Sequence, residues 1–435
     1  MSSAPSAGMR PEMLRRCSST ATCTMEEFGI KFRIPAGPQH RMFLHEVDGK
    51  SCRDMAVHVL AFFSSTLASE RAQKLKELKP GTSQYEHYMK IRGEFKVLDC
   101  RTSTGLRSIQ YLKGVPAITE LAINATSKKF IDLIVDNLKE NNVYSDKTSV
   151  SFQYQQVAML LRSGSGQQFD AIDIQPSGSA SEFFDAAVQA VATDGGLISF
   201  TNFDPTVLSG QTPEISFSRY GAASVSQPYH PELGLRIVLQ ALSAAASRHG
   251  RYIVPWMSVY GRQRSQFYVR VYASPPVVRR SMQKHMFLYQ STTCSSFYTQ
   301  PVGYLRKKDS LESDDSRGFQ FSFSDAPEDS AADAGEDLDV ITPSKDQGID
   351  RNQMRANDHI TSAPKHGVVH SDQARNKGET GQLEYEWFTS CTWELPARCE
   401  ESGGGWKIIG PVWAGDLHDK NVVKSLLYQA KLDLN

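Results

Sequence analysis

Nothing in the 435-residue chain approaches the ~18 consecutive apolar residues of a membrane-spanning helix. Net charge is also absent, with 48 Lys and Arg against 48 Asp and Glu. Cysteines number seven, at positions 17, 23, 52, 100, 294, 391 and 399, and none forms a Cys-x-x-Cys pair. That scatter argues against the disulfide scaffold of a small secreted domain and points to a reducing compartment. The stretch Gly178-Ser-Ala-Ser-Glu182 holds serines but not the strained Gly-x-Ser-x-Gly elbow, and no His and acid partners stand out, so hydrolase chemistry is not expected.

The zero net charge hides a segregation. Between Asp309 and Asp350 stand thirteen acids against Arg317 and Lys345, so this segment carries −11 and the rest of the chain +11. A basic body with an acidic insert suits an RNA-binding protein, and equally any protein with an acidic linker. The amino terminus, MSSAPSAGMRPEMLRRCSSTATCTM, carries Arg10, Arg15 and Arg16, with Glu12 its one acid before Glu26. Arg-rich, Ser-rich and acid-poor is the composition of a mitochondrial presequence, expected over residues 1–28.

From Phe95 onward short apolar runs alternate with helical stretches. FKVLDC (95–100), ITELAINA (118–125), VSFQYQ (150–155), FDAIDI (169–174) and GLISFTN (196–202) read as strands. Phe130, Ile131, Leu133, Ile134 and Leu138 stand at spacings of three and four, as on one helical stripe. RYIVPWMSVY and QFYVRVYA (251–260, 266–273) follow with no helix between them. The expected fold class is α/β, a Rossmann-like seven-stranded parallel sheet over residues 29–280 closed by a two-strand hairpin. Residues 281–308 and 380–435 are expected to form a small α+β domain, interrupted by a disordered acidic insert at 309–379 in which FQFSF (319–323) can form a local strand.

Several stretches, in order along the chain, resemble the tRNA guanine-26 N2-dimethyltransferases. STGLRSI (103–109) is similar to that family's glycine loop, and FDAIDIQPSGSASEFFDAAVQAV (169–191) to its F-D-x-I-D-x-D-P-Y-G segment. FTNFDPTVLSG, SRYGA, LGLRIVLQAL, FYVRVY and GPVWAGDLHD resemble further family blocks. The resemblance implies methyl transfer from S-adenosylmethionine to the exocyclic amine of one guanine in tRNA, with a smaller carboxyl-terminal domain that helps grip the RNA.

The chain departs from the family where acids are expected. The carboxylate that would hold the cofactor ribose falls on Ala125, with Asn124 beside it, and the adenine-contacting acid falls on Gln156. The acid that orients the amine is Gln175, in Gln175-Pro176-Ser177-Gly178, where Ser177 also replaces a base-stacking Tyr. An amide can still accept from the amine but cannot take up its proton. The family's acidic position before its F-Y-V-R block falls on Arg262, and the cysteine pairs of its zinc-containing members become Ser291-x-x-Cys294 and Cys399-x-x-Ser402. Two thiolates and two serines do not make a structural zinc site, so no metal is expected.

The expected reading is therefore a degenerate, non-catalytic member. It would bind RNA (tRNA or rRNA) or a mitochondrial ribonucleoprotein complex, with no cofactor and with protein partners through 309–379. The alternative is an active divergent tRNA guanine-26 N2-dimethyltransferase using S-adenosylmethionine. Remnants of the cofactor site are placed at Ser103, Gly105, Arg107, Asn124 and Gln156, and RNA contacts at Arg53, Arg262, Arg264, Trp413 and His418. Asp170 and Asp173, expected on one face of their strand, are given structural roles, as are Asp204 and His230.

Overall fold

The computed structural model describes residues 22–35, 47–153, 159, 164, 168–176, 178–261, 264–292, 297–307, 319–323 and 406–433. Its central element is a seven-stranded sheet of β3 (Lys96–Thr102), β4 (Glu120–Ala125), β5 (Thr148–Ser151), β6 (Ala171–Ile174), β7 (Asp194–Asn202), β8 (Arg251–Tyr260) and β9 (Ser265–Ala273). The strand order is β5-β4-β3-β6-β7-β9-β8, and the pairs β3–β4, β3–β6, β4–β5 and β6–β7 are parallel. A strand hairpin, β1 (Thr22–Glu27) with β2 (Ile30–Pro35), precedes it, so ordered structure begins inside the segment assigned to a presequence. The α/β sheet expected from the strand–helix alternation is the one found.

The chain divides into two compact units: residues 1–203, 266–272 and 421–435, and residues 204–265 and 273–420. In the first, helix α1 (Val47–Glu77) buries Cys52, Ala56, Val59, Leu60, Phe63 and Leu67, a stripe at spacings of three and four that faces the interior. Helices α2 (Ser83–Ile91), α3 (Leu106–Gly114), α4 (Ile131–Glu140) and α5 (Phe184–Ala190) follow. The near-continuous apolar runs of β3, β6 and β7 are those of parallel strands covered on both faces. Phe200 of β7 stacks on Phe267 at 4.6 Å between ring centroids and meets Phe184 edge-on at 5.2 Å.

The second unit contains α6 (Pro205–Leu208), α7 (Pro213–Tyr220), α8 (His230–Arg248) and α9 (Pro275–Arg279). It also holds a three-stranded sheet, β11 (Phe297–Pro301), β10 (His285–Ser291), β14 (Trp406–Trp413), and the pair β12 (Gly303–Lys307) with β13 (Phe319–Phe323). The strand β13 is the FQFSF stretch, an antiparallel partner of β12 inside the segment read as disordered. Other residues of that segment lie outside the described residues. On α8, buried Arg236 pairs with Glu232 one turn earlier (2.7 Å) and donates to the carbonyls of Trp413 and Gly415 (2.8 and 3.1 Å). The helix α10 (Lys420–Asp433) closes the described chain.

Candidate functional site

Open parallel sheets bind ligands beyond the carboxyl ends of their strands, at the point where strand order reverses. Here that point is β3, flanked by β4 on one side and β6 on the other. At the tip of β3 the register against β4 shifts between Cys100 and Thr102, where Arg101 takes φ 72°, a left-handed conformation costly for a residue with a Cβ. The bulge turns the chain into Thr102-Ser103-Thr104-Gly105. Gly105 has φ 73°, and a Cβ there would lie 3.0 Å from Ile134 Cγ2, so the turn requires glycine. Its N–H bonds Thr102 Oγ1 (3.1 Å), that of Leu106 bonds Thr104 Oγ1 (3.3 Å), and the helix α3 begins.

Beneath this loop lies a charged network. Asp173 of β6 is 3% exposed, yet its carboxylate is fully occupied: Oδ2 accepts from Arg107 Nη1 (2.8 Å), Tyr111 Oη (2.9 Å) and Gln175 Nε2 (3.1 Å), and Oδ1 from Ser199 Oγ (2.9 Å). Neighbouring Asp99 of β3 is wholly buried, accepts from Ser108 through Oδ2, and leaves Oδ1 with no hydrogen-bond partner. Burial first, then the charge of Asp173, pushes its pKa up to about 7 against the opposing effects of Ser108 and Arg107. Asp99 therefore takes its proton near neutrality, as a buried like-charge neighbour should.

The tip of β6 lies beside this network. Gln175 is half-buried, and its backbone N–H reaches the Cys100 carbonyl at 3.4 Å, which brings the β3 and β6 tips together. Pro176 is buried, the Gly178 carbonyl accepts from Phe203 N (3.0 Å), and Ala180 N donates to Asn202 Oδ1 (3.1 Å). Ser177 lies outside the described residues. With its nitrogen on Asp173, the Gln175 amide keeps its oxygen as an acceptor.

At the tip of β4 the polar partners are few. Ala125 is fully buried, while Asn124, 1% exposed, accepts from Gln153 N at 3.4 Å and leaves Nδ2 unpartnered. Thr126 donates both its N–H and its hydroxyl to the Thr102 carbonyl (2.8 and 3.0 Å), locking the β4 tip against the β3 loop. For an S-adenosylmethionine-like ligand the fit is therefore uneven. The Gly105 and Leu106 N–H groups are taken by the Thr102 and Thr104 hydroxyls, so a carboxylate would be received by the rest of the amino end of α3. The Asn124 amide is one orphaned donor, and no acid stands at the end of β4 to accept ribose hydroxyls.

The sequence-derived candidates fare differently. Ser103, Gly105, Asn124 and Gln175 gather at the three tips. Arg107 belongs to the Asp173 network rather than to a ligand surface, because its guanidinium points inward to that carboxylate. Three expected RNA contacts are buried or bonded within the chain. Arg53 makes a two-pronged ion pair with Glu27 (2.8 and 2.6 Å), which also accepts from Gln110 (2.9 Å). Arg264 is buried, and Trp413, 4% exposed, donates Nε1 to the Asp416 carbonyl (3.1 Å). His418 is half-buried. Gln156, Arg262, Cys294, Cys399 and Ser402 lie outside the described residues, and Ser291 is buried in β10.

Asp170 and Asp173 do not share a face, since a spacing of three alternates across a strand. Asp170 pairs with Arg71 and takes the Lys96 N–H (2.7 Å) at the opposite end of the sheet. Asp204 accepts from Arg219 (2.8 Å to each oxygen) and Tyr220 (2.8 Å), and His230 Nδ1 contacts the Gln227 carbonyl (2.9 Å), both structural placements within the second unit. Asp99, Tyr111 and Ser199 were absent from the sequence reading. Asp99 and Ser199 occupy register positions beside Asp173 in adjacent strands, a signal available only once the pairing is known.

A family profile described as N2,N2-dimethylguanosine tRNA methyltransferase matches residues 40–434. The chain is 29% identical over 270 residues to the tRNA (guanine(26)-N(2))-dimethyltransferase of Drosophila melanogaster, covering 58% of this chain and 46% of that protein. It is 34% identical over 214 residues to the human enzyme of the same name (48% and 31%). Against the mitochondrial form from Saccharomyces cerevisiae it is 30% identical over 252 residues (55% and 42%). The matched stretches span less than half the length of each of these relatives. Among solved structures, Trm1 from Pyrococcus horikoshii in complex with S-adenosyl-L-methionine shares the fold, with a TM-score of 0.50 and 19% identity over 66% of this chain and 71% of that one. By the extent of the profile match, the chain belongs to the N2,N2-dimethylguanosine tRNA methyltransferase family.

Proposed function

We propose that the protein methylates the exocyclic amine of a guanine in tRNA with S-adenosylmethionine as donor, the reaction named for its relatives. One observation carries the reading: the glycine turn of β3 and the amide of Gln175 stand on directly paired strand tips, joined through Gln175 N–H and the Cys100 carbonyl. A donor site and an amine acceptor are thereby side by side.

When bound, S-adenosylmethionine supplies an electrophilic methyl group. The amino end of α3, shaped by the Gly105 turn, would receive its carboxylate end, and Asn124 would offer an amide donor at the β4 tip. The Gln175 oxygen accepts from the guanine amine and aims its lone pair. The amine proton released on methylation passes to solvent, since an amide takes up none, so positioning rather than base catalysis is the main contribution of this residue. Because Ala125 offers no acceptor, donor binding is weaker than a carboxylate at that position would give.

A second reading follows from that same alanine: an RNA- or ribonucleoprotein-binding role without methyl transfer. Residence in mitochondria, as the yeast relative's name states for that protein, fits the Arg-rich amino terminus under either reading.

The test is incubation of the full chain with unmodified tRNA and methyl-labelled donor, followed by nucleoside mass spectrometry. Labelled N2-methylguanosine or N2,N2-dimethylguanosine supports transfer. RNA binding that weakens steeply with salt, with no label at millimolar donor, supports the second reading instead.

A further inference from the structure

We infer that Asp173 is the positioning residue of this site: it holds Gln175 by the amide nitrogen, so that the amide oxygen is presented to an amine. The inference rests on the methyl-transfer reading above and names the device that would orient its substrate. An amide has one donor end and one acceptor end, whereas a carboxylate accepts only. With Nε2 at 3.1 Å from Asp173 Oδ2, a flipped amide would set oxygen against oxygen, so the rotamer is fixed in one sense.

The carboxylate that fixes it is itself immobile. Arg107 and Tyr111 reach it from α3 and Ser199 from β7, while Gln175 extends its own strand. Among the described residues, the charged groups acting on this cluster are Arg107, which neutralises Asp173, and Asp99. The arrangement also selects the residue type. A carboxyl of glutamine's length at position 175 would face Asp173 across the same gap, and one of the two would have to take a proton or swing away. Glutamine satisfies Asp173 and still exposes an acceptor.

Two readouts test this. In the full chain labelled with nitrogen-15 at glutamine, the Gln175 side-chain amide is assigned by its loss in Gln175→Ala. The clamp predicts amide protons that exchange with water about tenfold or more slowly than those of exposed glutamines. Gln175→Glu then alters only the half-exposed member of the pair, leaving the Asp173–Arg107 ion pair intact. The new carboxyl should titrate above the ordinary glutamate value of about 4.3. Methyl transfer at neutral pH should fall about 100-fold in kcat with little change in donor affinity.

An amide exchanging like an exposed glutamine, or a new carboxyl of ordinary pKa with undiminished transfer, overturns the inference. A slowly exchanging amide in a protein that methylates no guanine overturns the transfer reading and leaves the clamp standing.

Discussion

Two strand tips of one sheet, on either side of β3, have taken opposite courses. At the end of β6, Gln175 donates to a carboxylate tied to α3 and β7 by three further donors. At the end of β4 a fully buried alanine stands where a ribose-binding carboxylate is expected, beside a half-satisfied asparagine. The β6 tip is wired into the core, so its residues cannot change without cost to the fold. The β4 tip is held by backbone pairing and by Thr126 on the Thr102 carbonyl, with no ion pair running through position 125, so an acid there can be lost while the strand keeps its pairing. Losing one hydrogen bond to a charged acceptor costs about 1.5–3 kcal/mol, or roughly 10- to 100-fold in affinity. On the methyl-transfer reading, that would leave a weakened donor site, not an abolished one.

The comparison is broken most forcefully from the β6 side. Asp173→Ala strips Arg107, Tyr111 and Ser199 of their shared partner and leaves a guanidinium buried without its counter-charge. A loss of about 3–5 kcal/mol is expected from denaturant titration. A loss below about 1 kcal/mol would mean that the network does not hold the strand tips.

Asp99 gives an effect that depends on pH. Its pKa in the folded protein, about 7, lies above the ordinary aspartate value of about 3.9. The folded state thus holds a proton that the unfolded state has released between those values. The stabilisation is complete below about pH 4 and is lost as pH rises through about 7, at roughly 1.4 kcal/mol per unit crossed. Thermal midpoints of the parent and of Asp99→Asn between pH 4 and 7 should converge at the acid end and separate toward neutrality, with the parent lower. Parallel curves would place the proton elsewhere.

Much of the scaffold was legible in the chain. Apolar runs at 95–100, 118–125, 169–174 and 196–202 became β3, β4, β6 and β7 within two residues at either end, because parallel strands buried on both faces carry an unmistakable composition. The long helix α1 was missed although Cys52, Ala56, Val59, Leu60, Phe63 and Leu67 mark its buried side, since small and polar residues dilute that stripe. Gln175 and Gly105 could be singled out from local motifs. Asp173's role could not, because Arg107, Tyr111 and Ser199 lie 66, 62 and 26 residues away and meet it only through strand order. Arg53 and Trp413 read as RNA contacts for the same reason: a cation or aromatic in a sequence does not show whether an acid or a carbonyl waits for it inside.

Calorimetric titration of the full chain with S-adenosylmethionine, alongside Ala125→Asp, tests the contrast between the two tips most directly. The account predicts that the parent binds the donor and that the new acceptor at the β4 tip tightens binding by about 10-fold or more. No heat from either protein at millimolar donor would contradict it, because the β3 and β6 tips would then form no donor site for a restored acid to complete.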